Sequence, residues 1–488
     1  MIGDLGQAHL VSRRRFLRGG MITGAMIGSA LVAACSQPAA APATPAASAP
    51  ASAAPQATSA PQATAAPKAT AAPQASGPVY VVYATQNSDP PFSTNEQQVV
   101  NNFEDKNPQI RVQLEYWPGQ NFYDKLRVLY AANQMPDTAD MELKQLPDFV
   151  YRKMVQDITP LAQQADIKES DYWPRQWAKV HFQGKMWAFP LDSQDAVIFY
   201  NKDVFDQANV PYPPKNWDDP TWTWDKVLEI SQKIAKGTGV SRTWGINVST
   251  WWVYDYPFVW SWGGTVLNEQ HTKSTLTMPE TVAAFQFRAD LINKYKVHPA
   301  AADVTEGVDH LFGANRLAMN VTLNTNAYVY KDVPNLKFDM APMPAGKAGA
   351  WTRAPSDVIA LGSQSKVLEQ AFTFAHYLTG TDGLLLMDIQ AGLGIPPLTS
   401  LANDFIKPKV KGVENLNWSM VLDIESKVKA KYQDVTIAWP EMDKLLTAEN
   451  QVVLNGKETA QQMADKMSPQ IDKLLAANPP TAQGWVGD

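Results

Sequence analysis

Residues 184–203 are the segment around which the rest of the chain is organised. An alternating, aromatic-rich run at 185–189 stops at Pro190, and a polar bridge at 192–195 leads into a second strand-like run at 196–200. Proline cannot donate to a strand ladder and is best placed at a sheet edge or a bend. The bridge is therefore expected either to cross from one sheet to another, between two lobes, or to form an ordinary hairpin within one domain.

The N-terminal residues have the features of an export signal. Residues 12–18 carry the consecutive arginines of a twin-arginine signal, and residues 21–33 form a short apolar run. This run is shorter than the roughly 20 apolar residues that a permanent transmembrane helix needs. We therefore expect residues 1–34 to be a signal peptide exported by the twin-arginine route.

Cys35 is the single cysteine of the chain and directly follows this signal. Residues 32–35, Val-Ala-Ala-Cys, match the lipobox at which bacterial lipoproteins are cleaved and acylated. One cysteine cannot form an intrachain disulfide, and the alternative of a cytosolic redox thiol conflicts with the arginine signal. The pattern predicts lipid attachment at Cys35 and a position on the extracytoplasmic face of the cell membrane.

The segment after the cysteine is almost entirely Ala, Pro, Ser, Thr and Gln. It has almost no large apolar side chains that could offset the entropy cost of ordering the backbone. We expect residues 35–78 to be the lipidated cysteine followed by a disordered tether that holds the folded part away from the membrane.

The charge balance excludes one class of partner. Removal of residues 1–34 takes away four arginines and one aspartate, so the net charge falls from −6 to about −9. An acidic surface of this kind repels phosphate backbones, so no nucleic-acid partner is expected.

Strand and helix patterns alternate from residue 79 onward, which predicts an α/β fold. The first five segments are a strand (79–84), a helix (97–106), a strand (110–116), a helix (122–132) and a strand ending at Met141. Such a succession implies right-handed crossovers and a parallel sheet that binds ligands at its carboxyl ends. Those ends are residues 86–87, 117–118 and 142–145.

The later segments are mostly helical in pattern. Thr223 is the expected N-cap of a helix over 226–236, and 279–295 is expected to be a long amphipathic helix. Residues 312–321 resemble a strand or short connector, and the chain after the 392–397 turn is expected to be mostly helical to 475.

Several segments resemble, in order, the motifs of one known family. They are residues 135–137, 155–160, 184–203, 222–225, 257–264, 312–319, 341–346 and 394–397. The chain resembles the lipoprotein sugar-binding components of bacterial ABC transporters, extracellular solute-binding protein family 1, from about residue 79 to about 475.

This resemblance implies a periplasmic-binding-protein-like fold, with two α/β lobes joined by hinge crossings and a ligand cleft between them. It places crossings at 192–195, near 355–358 and near 397–402. The implied lobes are residues 79–192 with 357–398, and 193–356 with 399–488. It also implies a monomer that captures a mono- or oligosaccharide and delivers it to ABC permease subunits.

Tryptophan is concentrated in one part of the chain, because eight of the sixteen lie between residues 217 and 262. A pyranose presents a face of C–H groups that matches an aromatic ring, while its hydroxyls need polar partners around the rim. Most of these rings are expected to pack the core. The aromatic and loop candidates for ligand contact are Trp262 with Gly263, then Trp251, Trp252 and Trp260, then Trp351 with Arg353.

The polar candidates lie on the bridge, at the ends of the first and third strands, and after the 312–321 segment. They are Asp192, Gln194, Glu142, Lys144, Gln86, Asn87, Asn324 and Asn326. A solvated surface position is the alternative for each. The resemblance aligns Gln194 with an acidic sugar-contacting position, and residues 323–326 replace the Gly-Gly-Pro-Trp common in the family, which removes one expected stacking ring.

A secreted glycoside hydrolase is the alternative of a different class. It needs two carboxylates about 5 Å apart, and Asp192 with Asp195 or Asp255 with Glu269 are the pairs that could be proposed. No catalytic, nucleotide-binding or metal-binding motif supports this, so no enzyme activity, cofactor or metal is expected. A binding protein for a non-sugar solute, such as a glycerophosphodiester or a polyamine, is the nearer alternative.

Overall fold

The computed structural model describes residues 77–119, 121–426, 428–434 and 436–478. The expected signal peptide, the lipidation site at Cys35 and nearly all of the expected tether lie outside these residues. Within the described ranges, none of the helices combines the length and the apolar character needed to cross a membrane.

The strands include several of only two residues. They are β1 (Val79–Thr85), β2 (Ile110–Tyr116), β3 (Thr138–Glu142), β4 (His181–Phe182), β5 (Lys185–Met186), β6 (Phe189–Pro190), β7 (Ala196–Asn201), β8 (Trp244–Val248), β9 (Leu317–Leu323), β10 (Phe338–Ala341), β11 (Ala345–Gly346), β12 (Gly349–Ala350), β13 (Thr352–Arg353), β14 (Asp357–Leu361) and β15 (Ala430–Lys431).

The α-helices occur along the whole described chain. They are α1 (Phe92–Lys106), α2 (Phe122–Ala131), α3 (Leu146–Tyr151), α4 (Thr159–Gln164), α5 (Pro174–Lys179), α6 (Lys202–Ala208), α7 (Trp224–Ile234), α8 (Tyr256–Trp262), α9 (Pro279–Asn293), α10 (Val308–Gly313), α11 (Ala327–Tyr330), α12 (Leu368–Leu378), α13 (Thr381–Leu384), α14 (Ala402–Ile406), α15 (Trp418–Ser426), α16 (Trp439–Leu454) and α17 (Ala460–Ala477). Short 3-10 turns lie at Leu143–Gln145, Glu169–Asp171, Gly239–Ser241, Trp252–Asp255, Ala301–Asp303, Asn324–Asn326 and Thr399–Leu401, and Leu385–Gln390 is a π-helix.

The first sheet has the strand order β2-β1-β3-β14-β6. Strand β1 pairs in parallel with β2 and β3, as the alternation of strands and helices predicts. Strand β14 returns from far along the chain and pairs antiparallel with β3 and β6. The carboxyl ends of β1 and β3 therefore lie on the same edge as the start of β14.

The second sheet has the order β10-β7-β9-β8. Strand β7 is central and antiparallel to both neighbours, and its residues are all buried. Ile198 and Tyr200 join one apolar cluster while Val197 and Phe199 join another, because successive side chains of a strand point to opposite faces. Helices therefore cover this sheet on both sides.

The bridge at 192–195 connects the two sheets, which confirms the predicted crossing and rules out a hairpin. Strand β6, which contains Pro190, is the edge strand of the first sheet, and β7 belongs to the second. Two other segments run beside the bridge. Gln194 N–H donates to the Pro355 carbonyl at 2.7 Å, and Ser193 and Ile395 exchange backbone hydrogen bonds of 3.0 and 2.7 Å.

Glycine is required where the third segment meets the bridge. A Cβ atom added to Gly394 would lie 2.8 Å from both the Asp192 Cβ and the Ser193 carbonyl oxygen. A larger residue would push the segments apart.

Other predicted elements are confirmed or corrected. The Thr223 hydroxyl accepts a hydrogen bond from Lys226 N–H at 3.2 Å and caps α7 as predicted. Helix α9 forms, but the amphipathic expectation is wrong, because Arg288 is buried on one side while Phe287 packs against Trp262. The expected strand or connector over 312–321 splits into α10 and β9.

The C-terminal region is helical except at one point. Strand β15 interrupts it and pairs in parallel with β13. This two-residue strand carries no sequence signal of its own, since its pairing partner lies almost eighty positions earlier in the chain.

Candidate functional site

A cavity lies between the carboxyl end of β3, the crossing segments, and the segment that joins β8 to α8. Its empty volume is about 430 Å³, including space open to solvent. The residues that line it are Glu142, Lys144, Gln194, Trp251, Tyr254, Leu323, Arg353, Pro355, Ser356, Asp357 and Tyr432. Five of the sequence candidates are thus brought together here: Glu142, Lys144, Gln194, Trp251 and Arg353.

The first-sheet wall of the cavity is an ion pair at the end of β3. Lys144 Nζ lies 2.5 Å from a Glu142 carboxylate oxygen. The backbone N–H of Glu142 donates to the Tyr123 hydroxyl oxygen at 2.8 Å, and that of Lys144 donates to the Tyr432 hydroxyl oxygen at 3.1 Å. The two tyrosines therefore hold the turn after β3 in place, and the ion pair compensates the charge of Lys144 within the protein.

The crossing supplies a group of buried polar side chains. Gln194 Nε2 donates to carboxylate oxygens of Asp192 at 2.8 Å and Asp357 at 3.0 Å. The backbone N–H of Asp357 donates to the other Asp192 oxygen at 2.8 Å. Burial, and then the charge of Asp357, raise the pKa of Asp192 well above its ordinary value, and burial also raises the pKa of Asp357. One carboxamide is therefore held between two carboxyl groups that favour their protonated forms.

The second-sheet wall is aromatic and cationic. The Arg353 guanidinium carbon lies 5.3 Å from the ring centroids of both Trp251 and Tyr254. Lys144 Nζ lies 4.7 Å from the Trp251 ring. The Trp251 indole N–H donates to Asp443 at 2.8 Å, which fixes the ring from outside the cavity. Trp251 is therefore a positioned flat surface that is only partly buried.

The candidates at the end of β1 lie behind the first-sheet wall. Gln86 Nε2 donates to the Tyr123 hydroxyl at 3.0 Å, and Asn87 Nδ2 donates to Asp140 at 3.0 Å. Burial, and then the charge of Asp357, raise the pKa of Asp140 well above its ordinary value. Gln86 and Asn87 do not line the cavity and reach it only through Tyr123 and the buried carboxyl groups.

Three tryptophan candidates lie in the packed core or at its edge. Trp252 is completely buried, and its ring lies 5.6 Å from that of Trp439. The Trp260 ring lies 6.1 Å from the Trp351 ring. Trp262, the first-ranked candidate of the sequence analysis, packs at 5.0 Å against Phe287. None of these rings lines the cavity: Trp260 and Trp262 lie on α8, which packs against α9, and Trp252 lies in the 3-10 turn before α8.

The remaining candidates also lie outside the cavity lining. Gly263 is the exposed, left-handed C-cap of α8 (φ 88°). The Asn324 side chain accepts the backbone N–H of Asp195 at 2.7 Å and so supports the crossing. Asn326 accepts from the Thr322 hydroxyl at 3.2 Å. Trp351 lies 5.4 Å from Lys429 Nζ.

Sequence reasoning missed several lining residues. Tyr254 lies within the same aromatic-rich segment as Trp251, so the aromatic composition of that segment could have identified it. Pro355 and Asp357 lie in the second expected crossing, although neither was named as a ligand contact. Tyr432 had no signal, because it follows β15 and reaches the cavity only through the β13–β15 pairing.

None of the four carboxyl groups of the hydrolase alternative lines the cavity. Asp192 and Asp195 are completely buried, and Asp195 accepts from the Ser193 hydroxyl at 2.7 Å. Asp255 is buried beside Arg288, whereas Glu269 is exposed. Across the described ranges, no group of three or more His, Cys, Asp or Glu side chains could hold a metal ion.

Comparison with known proteins identifies relatives of this chain. It is 26% identical over 288 residues to a putative binding protein of Brucella abortus, which spans 57% of this chain and 67% of that protein. It is 22% identical over 259 residues to the arabinooligosaccharide-binding protein of Halalkalibacterium halodurans, spanning 50% of this chain and 54% of that one.

Solved structures share the fold. The ABC substrate-binding protein of Listeria monocytogenes in complex with cycloalternan matches 82% of this chain and 99% of its own, with a TM-score of 0.73 and 21% identity. This similarity supports the two-lobed periplasmic-binding-protein-like fold. A model of the bacterial extracellular solute-binding protein family matches residues 88–384. Because this match covers more than half of the chain, the protein belongs to the bacterial extracellular solute-binding protein family.

Proposed function

We propose that this protein is the extracytoplasmic receptor of an ABC importer and that it captures a mono- or oligosaccharide in the cavity beside the crossing. The observation that carries the proposal is the combination of flat rings and fixed polar groups in one cavity. Trp251 offers a ring face for the C–H face of a sugar, and Gln194 with Asp357 offers polar partners for hydroxyls. The similarity to an arabinooligosaccharide-binding protein supports a carbohydrate as the ligand.

Capture by closure agrees with the arrangement of the crossings. Three backbone segments run side by side between the sheets, and the cavity has walls from both sheets. A ligand that contacts both walls stabilises the closed state by its differential affinity for that state. In this proposal, residues 79–192 with 357–398 form one lobe, and 193–356 with 399–488 form the other.

The proposal includes no chemical conversion of the ligand. The buried carboxyl groups near the cavity are engaged in holding the crossing, which supports binding over hydrolysis. The protein acts as a monomer that delivers its ligand unchanged to the permease subunits.

Membrane attachment through Cys35 completes the proposal, with export by the twin-arginine route. Its support is the lipobox and the arginine pattern of the sequence. Replacement of Cys35 by Ser should abolish labelling by a radioactive fatty acid in cells. Labelling equal to the parent protein would contradict the anchor.

Calorimetry of the purified full-length chain against a panel of mono- and oligosaccharides tests the function. The proposal expects saturable 1:1 binding of at least one carbohydrate, with no release of reducing ends over prolonged incubation. Tight binding of a polyamine or a peptide with no carbohydrate bound would overturn the ligand class. Sustained release of reducing ends over many turnovers would favour the hydrolase.

A further inference from the structure

Arg353 is a buried cation that has no anionic partner among the described residues. Arg353 is only 3% exposed to solvent, and it lines the cavity. Its Nε–H donates to Gln433 Oε1 at 3.1 Å. In the described part of the chain, no carboxylate oxygen lies within 4.0 Å of the guanidinium, and its two Nη groups have no acceptor.

A guanidinium cannot lose its charge to relieve burial. A carboxyl group or an amine can change its protonation state, but arginine stays protonated at any physiological pH. The rings of Trp251 and Tyr254 stabilise the cation in part through their negative faces. A ring face does not replace a carboxylate or carbonyl acceptor, so the Nη–H groups remain available for a stronger partner in the cavity.

Around Arg353, hydrogen-bond donors outnumber the acceptors that are free to pair with them. Gln433 is completely buried, and its Nε2 atom has no acceptor within the described ranges. The other cation of the cavity, Lys144, is already paired with Glu142 at 2.5 Å. The carboxyl groups of Asp192 and Asp357 are bridged by Gln194 at the crossing. Among the described residues, no acceptor is paired with the Nη groups of Arg353, which lines the cavity, so they are open to solvent or to a ligand.

We propose that Arg353 binds an oxyanion carried by the ligand, so that the carbohydrate is an acidic one. The planar fork of two Nη–H groups matches two oxygens of a carboxylate or a phosphate. The chemistry is shared by a uronate and a sugar phosphate, while the sugar ring lies on Trp251. This inference rests on the proposed carbohydrate function.

Calorimetry with matched neutral and acidic ligands tests this inference on the full-length chain. The pairs are glucose and glucuronate, galactobiose and digalacturonate, glucose and glucose 6-phosphate, and glycerol and sn-glycerol 3-phosphate. We expect the acidic member of at least one sugar pair to bind about tenfold or more tightly than its neutral partner. Preference for the uronates identifies a carboxylate, and preference for the phosphates identifies a phosphate.

Variants link this preference to one side chain. Arg353→Gln should bring the acidic and neutral members of the preferred pair to within about twofold, and Arg353→Lys should retain part of the preference because it keeps the charge without the fork. Lys429→Gln is the matched control, because it removes a cation that is exposed, near Trp351 and outside the cavity lining. It should leave the preference unchanged. Thermal unfolding of each variant shows that it is folded.

The outcomes separate this inference from the proposed function. If the parent protein binds neutral sugars as tightly as acidic ones, the inference is overturned and the carbohydrate function stands. If sn-glycerol 3-phosphate binds and no sugar does, the oxyanion site stands and the carbohydrate function is overturned. An acidic preference that survives Arg353→Gln assigns the oxyanion to other residues and overturns the role of Arg353.

Discussion

Two buried arginines have opposite surroundings. Arg288 is completely buried in α9, its Nε atom lies 3.3 Å from Asp255 Oδ1, and its Nη2 group donates to the Val248 carbonyl at 2.7 Å. Arg353 is almost as buried, but it lines the cavity and has no carboxylate partner among the described residues. A cation whose counterion is part of the core is already paired, and its removal leaves that counterion buried alone. One without a counterion, beside an open cavity, is available to a ligand.

A buried carboxyl group shows why this difference is informative for arginine in particular. Glu96 is almost fully buried and accepts the Tyr83 hydroxyl at 2.7 Å. Burial raises the pKa of Glu96 to about 7, so the group can become neutral by taking up a proton. Arg353 has no such route.

The largest expected effect separates the two arginines by stability. Arg288→Met leaves Asp255 buried without its cation and should lower the free energy of unfolding by about 3–5 kcal/mol. Arg353→Met removes a cation that has no buried counterion and should change it by less than about 1 kcal/mol. Urea denaturation of both variants and the parent measures the difference. Equal losses would mean that Arg353 is also a structural residue.

The next prediction concerns pH and Glu96. Its pKa is about 7 in the folded protein against an ordinary value of 4.5, so the folded state binds the proton more tightly. The free energy of unfolding should therefore fall as the pH rises from about 4.5 to about 7, and Glu96 should account for about 3 kcal/mol of that fall.

Glu96→Gln mimics the neutral form and checks this contribution. Its urea-unfolding free energy should vary less steeply with pH between 4.5 and 7 than that of the parent. An identical slope in both proteins would show that Glu96 is not the group that takes up the proton.

Two tryptophans extend the comparison between cavity and core. Trp262→Ala removes a ring that packs against Phe258 and Phe287, and it should lower the free energy of unfolding by about 2–3 kcal/mol with little change in ligand affinity. Trp251→Ala removes the ring face in the cavity, and it should weaken carbohydrate binding about tenfold. Calorimetry and urea denaturation on both variants test this division. A loss of binding confined to Trp262→Ala would reverse the assignment of the two rings.

The smallest expected effect is at the cap of α7, which lies outside the cavity lining. Thr223→Ala removes the hydroxyl that accepts Lys226 N–H and should lower the free energy of unfolding by about 1 kcal/mol. Carbohydrate affinity should stay at the parent value. This variant measures whether a modest loss of folding stability by itself changes carbohydrate affinity. A weakened affinity would show that stability and binding are coupled.

The sequence predicted the parts of the fold that depend on local pattern. The parallel strands β1, β2 and β3 followed from the alternation of strand and helix, and Pro190 marked a sheet edge beside the crossing. The cap at Thr223 followed from helix chemistry. Each of these features is determined by residues that are neighbours in the chain or by a rule of strand connection.

The site was less predictable because it depends on long-range pairing. Glu142, Lys144, Gln194, Trp251 and Arg353 could be named from loop position and side-chain type, but Trp262 could not be distinguished from Trp251 until the direction of α8 was known. Tyr432 reaches the cavity only because β15 pairs with β13. Burial of Arg353 without a counterion is likewise a property of the assembled fold.

A crystal structure of the full-length chain bound to its preferred carbohydrate is the most direct test of the account. We expect a sugar ring on the face of Trp251, hydroxyls within hydrogen-bond distance of Gln194 or Asp357, and a ligand oxyanion on the two Nη groups of Arg353. A ligand bound outside the cavity, or one that leaves Trp251 and Arg353 without contact, would contradict it.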